Sequence, residues 1–328
     1  MKHIVITGGA GMIGSHLCER FIENGYAVTA VDNLISGSKE NLEKLEKHSA
    51  FDFIQRDVTD GFIESDIKFL GQYGLDGVLH FACPASPVDF DRLPLEILRV
   101  DSIGTINSVN LALNYNARYI LASTSEIYGD PTEHPQKETY WGNVNTVGPR
   151  ACYDEAKRFS EAYVSTLIRG VGKYNGKSYK PLNGGIVRIF NTYGPRNRLD
   201  DGRVVPQFCK QALRGEPLTV HGDGTQTRSF CYIDDLIEGV YDYFRSSIVY
   251  PMNLGNPNEY SILEFAKAIV EVSNSDSEIV FLPGRLDDPK QRRPDISLAK
   301  KELGWSPVIQ LDKGLRFVLE FYSQKLLR

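Results

Sequence analysis

Short apolar runs at residues 3–7, 27–31, 51–55, 77–81 and 119–122 are separated by polar stretches and glycine-rich turns. Each is too short for a helix and reads as a buried strand. Longer stretches at 12–24, 95–114 and 153–169 carry helical spacing between or after them. Strand–helix alternation of this kind implies a parallel sheet covered on both faces. A further run at 185–190 extends the sheet. Residues 170–184, rich in Gly, Lys, Tyr and Asn, read as an exposed loop insertion. Beyond Asn191 the pattern changes to short helices and strands broken by turns such as Gly194-Pro195, Pro283-Gly284 and Asp288-Pro289. The expected organisation is α/β. A doubly wound parallel sheet spans residues 1–190, including the helix that begins at Tyr153. A smaller α/β domain spans 191–328 and is able to send the chain back to the sheet.

The segment Gly8-Gly9-Ala10-Gly11-Met12-Ile13-Gly14 follows the first strand and opens the first helix. Glycines at 8, 11 and 14 permit a tight turn, close passage of a pyrophosphate and close helix–strand packing. The helix N-terminus presents unpaired N–H groups and the positive end of its dipole to phosphates. The spacing is G-x-x-G-x-x-G rather than G-x-G-x-x-G, and alone it is a weak signal. Asp32, at the end of the second strand, strengthens it. A carboxylate there, with Asn33 beside it, accepts hydrogen bonds from ribose hydroxyls and repels a 2′-phosphate. The plainer alternative is a solvated aspartate before a helix. Asp57-Val58 after the third strand suits adenine, and Ala82 after the fourth suits a close pass of the cofactor. Met12 and Ile13 border the same loop while packing helix against sheet. Together these positions predict a Rossmann-type site for NAD, not NADP.

Composition narrows the partners. With 37 Lys and Arg against 42 Asp and Glu, the net charge of −5 argues against non-specific nucleic-acid binding. No window approaches the roughly 18–20 apolar residues that a membrane span needs. The N-terminus runs straight into the glycine turn, an expectation of no cleavable signal. Cys18, Cys83, Cys152, Cys209 and Cys231 are scattered and lack metal-ligand spacing, as are the histidines. They read as reduced thiols of a cytoplasmic protein without a metal site.

Tyr153-Asp154-Glu155-Ala156-Lys157 sets a phenol and an amine at i and i+4 on one helix face. Lys157, near Tyr153 and an oxidised nicotinamide, lowers the phenol pKa from about 10 and makes it a base near neutrality. Such pairs are common on helix surfaces, so placement matters more than spacing. The pair follows Ser123-Thr124-Ser125-Glu126, which ends the fifth strand, and ligands gather at the carboxyl ends of such strands.

On these residues the chain resembles the extended short-chain dehydrogenase/reductase family over nearly its whole length. Several segments are similar to the branch whose members decarboxylate UDP-glucuronate. They are His80-Phe81-Ala82-Cys83-Pro84-Ala85-Ser86-Pro87, Ser123-Thr124-Ser125-Glu126-Ile127-Tyr128-Gly129, the run from His134 to Asn145, Phe190-Asn191-Thr192-Tyr193-Gly194-Pro195-Arg196 and Gln226-Thr227-Arg228-Ser229-Phe230. Asp287-Asp288-Pro289 and Arg293-Pro294-Asp295 complete the set. The resemblance implies NAD as cofactor, a UDP-sugar as substrate and a triad of Thr124, Tyr153 and Lys157. It also implies substrate contacts from Pro84, Ser86, Arg99 and Asn191, and from Arg203, Val205, Arg228 and Arg292 in the second domain. Arginine suits bidentate phosphate contact, although Arg292 and Arg293 are equally readable as solvated.

Related enzymes share hydride removal from sugar C4 and differ in the fate of the 4-keto sugar. The 4,6-dehydratases carry an Asp-Glu pair after the threonine, whereas this chain has Ser125-Glu126. A second carboxylate would repel a glucuronate carboxylate by ~1–4 kcal/mol, while a serine hydroxyl can donate to it. Epimerases usually lack the glutamate. The reading is therefore decarboxylation of UDP-glucuronate to UDP-xylose, with Arg228 binding the carboxylate or aiding protonation of C5. Glu126 serves the carboxylate or C5, or simply fixes the turn. Release of a UDP-4-keto-pentose with NADH, a 4,6-dehydratase, a 4-epimerase and a non-catalytic NAD-sensing protein are the alternatives. The chain departs from the family pattern at Arg99-Val100-Asp101, where Lys-Thr-Asn is usual, and at Leu113-Asn114, where a basic pair is common. A homodimer is expected through a four-helix bundle of 95–114 and 153–169, with Leu98, Ile103, Ile106 and Val109 marking the apolar face.

Overall fold

A computed structural model of the chain describes residues 1–174, 177–284 and 291–327. Seven parallel strands form the central sheet: β1 (Lys2–Thr7), β2 (Tyr26–Asp32), β3 (Phe51–Gln55), β4 (Gly77–His80), β5 (Arg118–Thr124), β6 (Gly184–Ile189) and β7 (Met252–Leu254). Their order is β7-β6-β5-β4-β1-β2-β3. The chain thus builds outward from β1 to β3 and then restarts at β4 on the other side. The crevice at that reversal, outside the carboxyl ends of the strands, is where doubly wound sheets place ligands. Every residue of β2 and β5 is buried, as expected of strands covered on both faces. The last strand comes from the C-terminal half, its Met252, Asn253 and Leu254 pairing with Val187, Arg188 and Ile189.

Helix α1 (Met12–Glu23) packs Phe21 edge-on against Tyr26, Tyr241 and Phe244, with ring centroids 5.1–5.2 Å apart. The stretch 95–114 is not one regular helix. It runs as Pro94–Arg99, a wide π-type turn over Val100–Gly104, and then α2 (Thr105–Tyr115). Gly104 lets this turn close on the sheet edge, because a Cβ there would stand 2.8 Å from Val58 Cγ2. The widened turn carries Asp101 into the interior, where it is fully buried. Wide turns of this kind often mark functional sites. Helix α3 (Ala151–Arg169) starts two residues before Tyr153 and lies against β5 and β6.

In the 170–184 segment a short antiparallel hairpin pairs Gly172 with Tyr179. The C-terminal half is more helical than its sequence pattern predicts, with α4 (Val204–Arg214), α5 (Ile233–Arg245), α6 (Ile262–Ser273) and α7 (Leu311–Leu326). There Arg228 and Arg292 are neighbours in register on two parallel strands, Thr227–Ser229 and Gln291–Arg292. The Asp287-Asp288-Pro289 segment lies outside the described residues. Among the described residues no helix is long and apolar enough to cross a membrane, and no group of three His, Cys, Asp or Glu side chains is placed to hold a metal ion.

Candidate active site

The glycine loop is shaped by what surrounds it. Gly8 has φ +70°, and a Cβ on it would meet the Phe81 carbonyl oxygen at 2.6 Å. A Cβ on Gly14 would overlap the Gly8 carbonyl oxygen, so the loop and the first turn of α1 close on each other only with hydrogen at both positions. Gly11 precedes α1 without a side-chain cap, leaving the helix's first N–H groups for an anion. Asp32 is buried at the end of β2, where its carboxylate accepts from Ala10 N–H at 3.0 Å and Leu34 N–H at 2.8 Å. A cavity of about 100 Å³ beside it is lined by Gly8, Gly11, Asn33, Asp57, Val58 and Ala82. Asn33 donates to Asp57 at 2.8 Å, which ties the two strand ends together. These residues fit a dinucleotide, with an uncapped helix end for the pyrophosphate and a buried carboxylate for a hydroxyl-bearing ribose.

A larger cleft of about 400 Å³ continues from the glycine loop past the end of β5. Met12, Ile13 and Gly14 line its near end, and Thr124, Ser125, Glu126, Tyr153 and Lys157 its centre. Tyr153 is held by stacking on Phe90, ring centroids 5.0 Å apart, and by a hydrogen bond with Thr124. Thr124 also accepts from Glu126 N–H at 3.2 Å, which fixes the turn after β5. Burial pushes the Tyr153 phenol above its ordinary value, and the nearby Lys157 ammonium opposes that shift. Lys157 donates to the Ala122 carbonyl at 3.0 Å and pairs with Asp101 Oδ1 at 2.8 Å. Burial, the largest influence, would lower its pKa, but Asp101, Cys83 and Tyr153 together outweigh it and hold the amine charged.

Glu126 is the second centre of charge. Arg292 Nη1 lies 2.6 Å from its Oε1, and Arg150 binds Oε2. Burial favours the protonated acid, but Arg292 and then Arg150 overcome it and hold Glu126 well below the usual carboxylate range. Asp154, one turn along α3, is pushed the other way by burial and by Glu126. Arg292 also donates to Ser125 Oγ at 3.3 Å and to the Gly129 carbonyl at 2.7 Å.

The remaining predicted residues divide. Ser86, Asn191, Arg203, Val205 and Arg228 line the larger cleft. Arg203 donates to the Ala85 carbonyl at 2.7 Å, bracing the loop after β4. Arg99 and Pro84, expected at the sugar nucleotide, instead line the smaller cavity with Asp32 and Asp57. The wide turn after Arg99 places that residue on the cofactor side. Arg292 is corrected most. It is neither a solvated residue nor a lining of the cleft, but a buried guanidinium, 2 % exposed, committed to Ser125 and Glu126. The sequence points to Arg228 for that place. Arg150, Phe90 and Asp101 are site residues that sequence reasoning missed. Asp101 alone left a signal, as a departure from the family pattern.

Comparison with known proteins agrees with this architecture. A UDP-glucuronic acid decarboxylase 1 from Danio rerio is 46% identical over 326 residues, covering 99% of this chain and 73% of the relative. UDP-glucuronic acid decarboxylase 6 from Arabidopsis thaliana is 45% identical, covering 98% and 89%. The crystal structure of a UDP-glucuronic acid 4-epimerase from Bacillus cereus, in complex with UDP-glucuronic acid and NAD, superposes with a TM-score of 0.86 at 29% identity, covering 98% and 99%. Residues 4–250 match the NAD dependent epimerase/dehydratase family. The chain belongs to that family, with the Tyr153/Lys157 helix lining the cleft that opens at the glycine loop.

Proposed function

We propose that the protein converts UDP-glucuronate to UDP-xylose and CO2, using NAD bound between the glycine loop and Asp32. One observation carries the reading: Tyr153 and Lys157 share a cleft with Ser125 and Glu126, behind which Arg292 is clamped. Bound NAD supplies a hydride acceptor and donor at sugar C4. Tyr153 takes the O4 proton as C4 is oxidised, with Thr124 fixing the phenol and Lys157 stabilising its anion. The product is a β-keto acid, so its C5–C6 bond can break with the electron pair delocalised onto O4. Ser125 accepts from Arg292 and thereby keeps its own hydrogen for the departing carboxylate. Glu126, held ionised, orients the groups around C5 rather than supplying the proton, which comes from solvent. Tyr153 returns its proton to O4 as C4 is reduced. Arg203 and Arg228 reach the cleft from the C-terminal half and suit the pyrophosphate.

The reading is tested by incubating the protein with UDP-glucuronate and NAD in D2O. Expected are CO2 and UDP-xylose bearing deuterium at C5 and protium at C4. UDP-galacturonate without CO2 would make the protein an epimerase, and stoichiometric NADH would mean release of the 4-keto-pentose.

The proposal extends to a cytoplasmic homodimer. Leu95, Leu98, Ile103 and Phe159 stay exposed on the helical face that would form the bundle. Val109 does not contribute, because it is fully buried within the subunit. Light scattering at micromolar concentration should give twice the 36.8 kDa chain mass, and a monomer would overturn the assembly.

A further inference from the structure

We propose that Asp101 is a positioning residue of the catalytic centre, fixing the Lys157 ammonium and offsetting the positive charge that Tyr153 meets. The proposal rests on reading Tyr153 as the base. Asp101 is fully buried and Lys157 nearly so, and their charged atoms stand 2.8 Å apart. The other carboxylate oxygen accepts from the Cys83 thiol at 3.1 Å, and the Asp101 carbonyl accepts from Ser160 Oγ. Asp101 is thus held from α3, through Lys157 and Ser160, and from the loop after β4, through Cys83. The Lys157 ammonium rests between the Asp101 carboxylate, its ion-pair partner, and the Ala122 carbonyl, to which it donates.

The consequence is electrostatic. A lone ammonium beside a phenol favours the phenolate, whereas a tight ion pair presents a dipole and favours it much less. The other titratable groups facing the pair are His80 from β4, Cys83 from the loop after it, Cys152 on α3 beside Cys83, and Tyr119 from β5. Burial and then Lys157 hold His80 neutral, its pKa lowered to about 3. Burial pushes the Cys83, Cys152 and Tyr119 groups upward, so they too stay neutral. Through the neutral range, Asp101, Lys157 and Tyr153 therefore decide the local charge. With Lys157 offset, the phenol stays protonated until a second positive charge arrives, and the oxidised nicotinamide is the cation the proposed chemistry brings. Tyr153 would then become a base only in the presence of NAD.

The test is Asp101→Asn, which keeps the shape and an acceptor while removing the charge. Two quantities are followed against pH. One is kcat/KM for UDP-glucuronate at saturating NAD. The other is the phenolate absorbance of Tyr153 in cofactor-free protein, taken as a difference against the same protein carrying Tyr153→Phe. The expected result is a shift of both midpoints toward acid by about one pH unit or more. A uniform fall in activity with unmoved midpoints would reduce Asp101 to a structural role and overturn the proposal. Should Asp101→Asn fail to fold, the unmodified protein decides. Without cofactor its Tyr153 should ionise above the ordinary tyrosine value of about 10, and ionisation below it overturns the proposal. The absorbance arm needs no turnover, so it stands even if UDP-glucuronate is not the substrate.

Discussion

Arg292 and Glu126 stand 2.6 Å apart although they come from opposite halves of the chain. The short strand Gln291–Arg292 delivers the guanidinium to the turn that follows β5, where Ser125 and the Gly129 carbonyl complete its shell. The pair thereby ties the C-terminal half to the turn that follows Thr124. It also explains how a carboxylate can sit in a cleft meant for an anionic substrate. Glu126 is already neutralised, by Arg292 on one oxygen and Arg150 on the other.

Removing one member of a largely buried pair leaves the other uncompensated. Arg292→Gln should therefore cost on the order of 3 kcal/mol of stability and most of the turnover. Arg292→Lys should recover part of the stability, but little activity, because an ammonium cannot span Ser125, Glu126 and Gly129 together. Denaturant unfolding and CO2 release measure the two effects. A variant with unchanged turnover would remove Arg292 from the site.

The same pair makes stability depend on pH. The folded-state pKa of Glu126 lies below its ordinary 4.5, so the stability it contributes is present above about 4.5 and is lost as pH falls toward the lowered value. Glu126→Gln lacks this term. The stability gap between the two proteins should narrow as the pH falls below 4.5, while Asp154, pushed up to about 7 by burial and Glu126, adds a separate change nearer neutrality. A gap that widened as the pH fell below 4.5 would mean that Glu126 is protonated in the native protein.

How much of this was legible beforehand follows from range along the chain. The strands β1, β2, β4, β5 and β6 are readable within a residue or two, because a strand buried on both faces is apolar throughout, and the half-buried edge strand β3 is marked by Phe51, Phe53 and Ile54. The glycine loop, Asp32 and the Tyr153/Lys157 pair were readable because each is local, a turn, a strand end or one helix face. The break at Val100–Gly104 was not, since Gly104 is demanded by Val58 across the fold and not by its neighbours. Arg292 resisted for the same reason. From sequence, nothing distinguishes an arginine bound for Glu126 from one bound for a phosphate or for water, and the pattern points instead to Arg228, its partner in register.

Cofactor choice should follow Asp32. A carboxylate facing the ribose rejects a 2′-phosphate, so NAD should bind at least about tenfold more tightly than NADP, a difference of about 1.4 kcal/mol. Asp32 also accepts from two backbone N–H groups, and Asp32→Ala would loosen the glycine loop as well as remove charge. Asp32→Asn keeps an acceptor and is the cleaner variant. Calorimetric titration of both dinucleotides should show the gap narrowing, chiefly through better NADP binding. Equal affinities in the unmodified protein would place the ribose elsewhere.

Tyr153→Phe separates the base from its ring. The stack on Phe90, at 5.0 Å between centroids, does not involve the hydroxyl and should survive. Thr124 keeps its bond from Glu126 N–H, so the turn after β5 stays in place. Only one hydrogen bond is lost, worth about 1 kcal/mol, and unfolding should move by no more than that. Turnover should fall by about 10²–10⁴, the range typical of removing a general base, with NAD affinity nearly unchanged. The residual rate should also lose its rise with pH, because no phenol remains to ionise. Near-normal turnover, or a preserved rise with pH, would show that another group takes the O4 proton. The base would then have to be sought elsewhere in the cleft, since Lys157 is held charged by Asp101.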